Sequence, residues 1–173
     1  ISFISPTLTN GSTNTTGSVQ INTTVSDADS DNMTALLNWN NSLVGWWRMN
    51  EVAGGTLVQD FSGYGNNGTW NGNTTSNVTT GMFGNALALD GVNDYVNAGN
   101  DPSSDITNEI TLGVWFKTPL LQTSGLITKD SLVARSYMLQ LGVNFLRMQV
   151  VGTTGNNLEW TTTAYADNKW HQF

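Results

Sequence analysis

The chain has 173 residues, with six Lys or Arg against thirteen Asp or Glu and a formal net charge of −7. This balance excludes a sequence-independent nucleic-acid binder, which needs a Lys/Arg surface to displace counterions, and it argues against an anionic membrane partner. Cysteine is absent and His171 is the single histidine, so disulfides, Cys nucleophiles, Ser-His-Asp chemistry and multi-His metal sites all lack their residues.

Ile1 opens the chain without an initiator Met or a signal-peptide pattern, and the expectation is a processed product or an excerpt of something longer. From Ile1 to Ser42 there is no Lys or Arg, while Asn, Ser and Thr abound. Ile1 to Ile4, ended by Ser5-Pro6, reads as a strand. Val19, Ile21, Thr23 and Val25 share one face at period two, which predicts a half-buried strand. Met33 to Trp39 is apolar enough for a strand packed on both sides. Between those two runs, Asp27-Ala28-Asp29-Ser30-Asp31-Asn32 is turn chemistry. Its Asp-x-Asp-x-Asp spacing resembles the start of a calcium loop, but Asn32 and Asn38 stand where an EF-hand needs Gly and Glu. An exposed turn is the preferred reading, with an inter-domain calcium cluster as the alternative. Residues 1–42 therefore form a segment of a sandwich, too small to stand alone.

From Leu43 onward short strands alternate with Gly/Asn/Asp turns. The predicted strands are Val44–Met49, Leu57–Phe61, Ala86–Leu89, Tyr95–Asn97, Ile110–Lys117, Gly125–Thr128, Tyr137–Leu141, Phe145–Val150, Leu158–Ala164 and Trp170 onward. Ile110, Leu112, Val114 and Phe116 alternate cleanly with Thr111, Gly113, Trp115 and Lys117. No window of helical length carries a 3.6 period, and no apolar run approaches the ~20 residues that span a bilayer. Hydrophobic residues at 38%, with seven Trp and six Phe, suffice for a core. The class is all-β, a sandwich or jelly roll.

Four motifs follow one another: Asp60-Phe61-Ser62-Gly63-Tyr64-Gly65-Asn66-Asn67-Gly68, then Leu89-Asp90-Gly91-Val92-Asn93-Asp94-Tyr95-Val96, then Thr111-Leu112-Gly113-Val114-Trp115, then Trp170-His171-Gln172-Phe173. In this order they resemble the laminin-G-like jelly roll of the concanavalin A-like lectin/glucanase superfamily, over roughly residues 43–173. The resemblance implies a two-sheet jelly roll that Trp170–Phe173 begins to complete and the chain does not finish. It also implies a calcium ion near the turns, with Asp60, Asn66 and Asp90 as the candidate ligands; hydrogen-bonded Asx turns without metal are the alternative. Turn geometry assigns positive φ to Gly63, Gly65 and Gly68.

Catalysis is not expected. Retaining glycosidases of this superfamily need paired carboxylates about 5–5.5 Å apart, and Glu51, Glu109 and Glu159 are scattered singly, while Asp90 and Asp94 share a turn. His171 reads as a packed, hydrogen-bonded residue. Trp70 and Trp160, beside polar turns, are the candidate carbohydrate platforms, with core or edge packing as the alternative.

Asn-x-Ser/Thr sequons stand at Asn10, Asn14, Asn22, Asn32, Asn40, Asn67, Asn73 and Asn77. Composition of the first 80 residues predicts about 3.7 by chance, and the later Asn supply none. The contrast points to a glycosylated, extracellular region, with compositional bias as the alternative. The opening, SPTLTNGSTNTT, SVQINTTVSDADSD and TALLNWNNS, resembles the immunoglobulin-like modules that accompany laminin-G-like domains in archaeal and bacterial surface proteins. Three readings follow: a non-enzymatic cell-surface module for adhesion or carbohydrate recognition, a structural subunit of a filament, sheath or S-layer, and an accessory binding module of a secreted glycosidase. The expected partner is a glycan or surface protein, or a second copy that exchanges the Val19–Val25 strand by β-augmentation.

Overall fold

The computed structural model describes residues 2–4, 22–24, 38, 41–50, 55–73, 77–106, 108–129, 137–150 and 156–173. Among them lie thirteen strands, every pairing antiparallel, and one 3-10 turn at Pro102–Ser104, so the chain is all-β.

β1 (Ser2–Ile4) pairs with β2 (Asn22–Thr24). Of the expected Val19–Val25 donor strand, Asn22–Thr24 is thus described and paired within its own chain, while Val19, Ile21, Val25 and the Met33–Leu37 run lie outside the described residues. β3 (Leu57–Val58), β4 (Gly68–Asn71) and β7 (Tyr95–Asn97) form a three-stranded sheet, with β5 (Val78–Thr80) and β6 (Asn85–Leu87) as a separate hairpin. β4 and β5 were not expected from sequence. Alternation along β4 buries Gly68 and Trp70 and exposes Thr69. Gly68 is not a positive-φ residue. A Cβ there would lie 2.5 Å from Val96 Cγ1 and 3.3 Å from Val58 Cβ, so glycine is required for β3 and β7 to close on β4. Gly63 (φ 97°) and Gly65 (φ 78°) do take the left-handed region, as expected.

β8 (Trp115–Phe116) pairs with β13 (His171–Gln172), and Val114 and Phe173 exchange both backbone hydrogen bonds beyond it (2.9 and 3.0 Å). The long strands form the remaining sheet: β9 (Ser124–Lys129), β10 (Tyr137–Gly142), β11 (Phe145–Val150) and β12 (Asn156–Thr161), in order β12-β11-β10-β9. The β9 register steps from Ile127↔Leu139 to Gly125↔Gln140, a bulge that leaves Leu126 unpaired in the ladder. Leu126 packs against the core. That core is Phe116, Leu141 and Tyr165, flanked by Leu126, Leu146, Ala166 and Phe173. Tyr165 also donates its hydroxyl proton to the Gly142 carbonyl, so its polar end is satisfied where it is buried.

Candidate functional site

The turn between β3 and β4 is built around Asp60. Its Oδ1 accepts the N–H of Trp46 (2.8 Å) and of Ser62 (2.9 Å), and its Oδ2 accepts Ser62 Oγ (2.7 Å) and the Asn66 N–H (2.9 Å). The Asp60 N–H is itself taken by Asn67 Oδ1 at 2.9 Å. Burial pushes the Asp60 carboxyl upward in pKa, but the Ser62 hydroxyl and the Ser62, Trp46 and Asn66 amides together hold it below the ordinary 3.8.

Asn66 carries the network outward. Its Nδ2 donates to the Val44 carbonyl (2.8 Å) and to Ser103 Oγ (2.9 Å), while its carbonyl accepts Trp47 Nε1 (2.7 Å). Ser103 belongs to the 3-10 turn, which Asp101 caps through its side chain with Pro102 just behind it. Ser104 in turn receives Lys129 Nζ at 2.5 Å, and its carbonyl receives the Tyr137 hydroxyl at 3.1 Å. Lys129 completes the seam with an ion pair to Asp105 at 2.7 Å. Burial first, and Asp105 second, push the Tyr137 phenol upward in pKa. This seam ties the β3–β4 turn to β9 and β10. Sequence reading missed it, although Asp101-Pro102 was a legible start signal.

Asp90 lies in another turn, where its Oδ1 accepts Val92 N–H (2.8 Å) and Asn93 N–H (3.4 Å) and its own N–H goes to Asp94 Oδ2 (2.9 Å). Asp90, Asp94, Asn73, Ala88 and Leu89 line a shallow recess of about 210 Å³. The three expected calcium ligands are thus divided between two turns. Both Asp60 oxygens already face converging N–H and O–H donors, which a cation would have to displace. Among the described residues no three His, Cys, Asp or Glu side chains converge. The donor set fits Asx turns, and the Asp60 turn does not fit calcium.

The two aromatic candidates part company. Trp70 is 3% exposed, because β4 alternation turns it inward opposite Val96, so it cannot serve as an open platform. Trp160 on β12 is 51% exposed and stands edge-on to Phe173, ring centroids 5.8 Å apart. Of the sequon residues, Asn67 and Asn73 are exposed and Asn77 is buried. Asn22 lies on β2, and Asn10, Asn14, Asn32 and Asn40 fall outside the described residues. His171 Nε2 meets Asp167 Oδ1 at 2.8 Å and its ring lies 5.8 Å from that of Phe116, the packed, hydrogen-bonded role expected of it.

No protein-family model matches the chain, and no curated protein matches it. Among solved structures, a crystal structure of residues 221–444 of an S-layer domain-containing protein from Clostridium thermocellum is similar, with a TM-score of 0.55 at 20% sequence identity. The likeness covers 69% of this chain and 57% of that one, and it is a likeness of fold.

Proposed function

We propose that this chain is a non-enzymatic, extracellular module of a cell-surface protein, built as a laminin-G-like jelly roll and serving a structural role in a surface layer. The observation that carries the reading is the fold shared with a protein described as S-layer domain-containing. The crowding of sequons before residue 80 supports an extracellular address. Glu159, the carboxylate on a long strand, is engaged by Arg147 at 2.6 Å, which suits a surface ion pair better than a catalytic base.

Protease shaving of intact source cells, followed by negative-stain microscopy of the purified protein, tests both halves. Release of the chain from intact cells and ordered polymers are the expected results. A chain that intact cells protect would overturn the surface reading, and dispersed monomers would overturn the structural role. Carbohydrate recognition is the second reading, favoured by Trp160, whose exposed indole stands beside Phe173 on an edge strand. Polysaccharide pull-down that Trp160→Ala abolishes and Trp160→Phe retains would support it.

A further inference from the structure

Three sequons have acceptor side chains that the structure describes, and they are not equivalent. Asn67 and Thr69 are both exposed, while Gly68 between them is buried against Val58 and Val96. Strand alternation therefore places the acceptor amide and the hydroxyl that completes its motif on one outer face, which also carries Leu57, opposite Thr69 and 58% exposed. Asn67 is moreover held in place: its Oδ1 accepts the Asp60 N–H at 2.9 Å and its N–H reaches the Gly65 carbonyl at 2.8 Å. Both bonds leave Nδ2 uninvolved. Asn77 carries the same motif with Val78 and Thr79, yet it is 2% exposed, its Oδ1 is enclosed, and its carbonyl accepts the Ala88 N–H at 2.9 Å.

We infer that Asn67 is a glycan acceptor of the folded protein and that Asn77 is closed to the same modification. The inference rests on the extracellular reading above. The donor is an oligosaccharide carried on a lipid phosphate or pyrophosphate, presented by a membrane-bound oligosaccharyltransferase. Asn67 Nδ2 forms the new bond to the anomeric carbon, the sugar–phosphate bond breaks, and the lipid phosphate leaves as the amide gives up one proton. The amide carbonyl survives this step, so the bond from Asp60 N–H to Asn67 Oδ1 persists in the glycosylated chain. The sugar then covers the outer face that holds Leu57 and Thr69.

The test uses protein from its source cells, shaved first to fix its location and then digested after aromatic residues. Cleavage after Tyr64 and Trp70 isolates Asn67 alone in residues 65–70, and cleavage after Phe83 leaves Asn73 and Asn77 in residues 71–83. Mass spectrometry is expected to find hexose-containing mass on 65–70 and none on Asn77. A bare 65–70 peptide from protein that shaving reaches overturns the acceptor and leaves the surface reading standing. A bare peptide from protein that intact cells protect overturns both. Glycan on Asn77 overturns the selection by burial. Thr69→Val, which keeps the β-branched shape but removes the hydroxyl, is expected to lose the glycan, and Thr69→Ser to retain it; glycan persisting on Thr69→Val overturns the assignment.

Discussion

Six-residue strands hold β9, β10, β11 and β12 together, in ladders interrupted once by the Leu126 bulge, whereas β3, β4 and β7 run only two to four residues and lean on side chains for their anchorage. In the long sheet, Leu139 and Leu141 are 1% and 2% exposed, and backbone ladders satisfy the polar groups around them. In the short sheet, a carboxylate and two amides do that work: Asp60, Asn66 and Asn67 bond five backbone groups of Val44, Trp46, Asp60, Ser62 and Asn66 that no ladder reaches. The lesson is physical. Where strands are too short for cooperative pairing, polar side chains must close the hydrogen-bond accounting.

The comparison breaks most visibly in the core. Leu141→Ala removes a buried side chain packed with Phe116 and Tyr165, and the expected loss is about 3 kcal/mol in urea unfolding. A loss under about 1 kcal/mol would mean that the long sheet is not the stabilising body.

Asp60→Ala attacks the other region. It strands the N–H groups of Trp46, Ser62 and Asn66, and the expected cost is about 2–3 kcal/mol, since bonds to a charged acceptor are among the strongest. Hydrogen exchange sharpens the contrast: protection should vanish at those three amides and persist in β10 and β11. Uniform loss across both sheets would show that the two regions open as one unit.

Acid should act on the short sheet first. The Asp60 carboxyl is held below its ordinary 3.8 by its donors, so the folded state binds its proton less readily than the unfolded chain does. Its contribution is therefore fully present above about pH 4 and is lost as pH falls through the depressed value. Asp167, drawn down to about 2 by the His171 bond first and by the Lys169 amide, titrates in the same window from an exposed site. Asp60→Asn separates the two: thermal melts of this variant should lose the share of acid sensitivity below pH 4 that Asp60 supplies and keep the share from Asp167 and from Asp101, whose carboxyl the Ser103 amide also lowers in pKa. An unchanged slope would assign the acid sensitivity elsewhere.

Much of this was legible from residue order. The spans of β7 and β11 match expectation to the residue, and the Asp60 turn was placed, with Gly63 and Gly65 but not Gly68 of its three expected positive-φ glycines. Ile110, Leu112, Val114 and Phe116 do lie on the more buried side, but only Val114–Phe116 finds backbone partners, in His171–Phe173. β4 was hidden because Gly68-Thr69-Trp70-Asn71 is punctuated like a loop; its glycine serves packing rather than turning. Trp70 was misplaced for the same reason, since flanking polar residues say nothing about which way an unrecognised strand points its side chains. The calcium expectation came from the family resemblance, and residue order does not reveal that the Asp60 oxygens are already occupied by four donors.

The smallest effect is expected where the long sheet uses charge. Arg147 on β11 faces Glu159 on β12 in register, with Nε at 2.9 Å and Nη2 at 2.6 Å from the same Glu159 oxygen. Sharing one oxygen forgoes the two parallel bonds that make Arg–carboxylate pairs strong. Both partners stay partly open to solvent, at 28% and 41% exposure, so water and salt screen the attraction. Arg147 also lies 4.4 Å from the centre of the Phe145 ring and reaches Gln140 at 3.4 Å, contacts that survive loss of the carboxylate. A double-mutant cycle of Arg147→Ala with Glu159→Ala should thus give a coupling of about 0.5 kcal/mol, falling toward zero in 1 M salt. A salt-independent coupling above about 2 kcal/mol would place the charge pair, rather than the apolar face and the ladders, among the main supports of the long sheet.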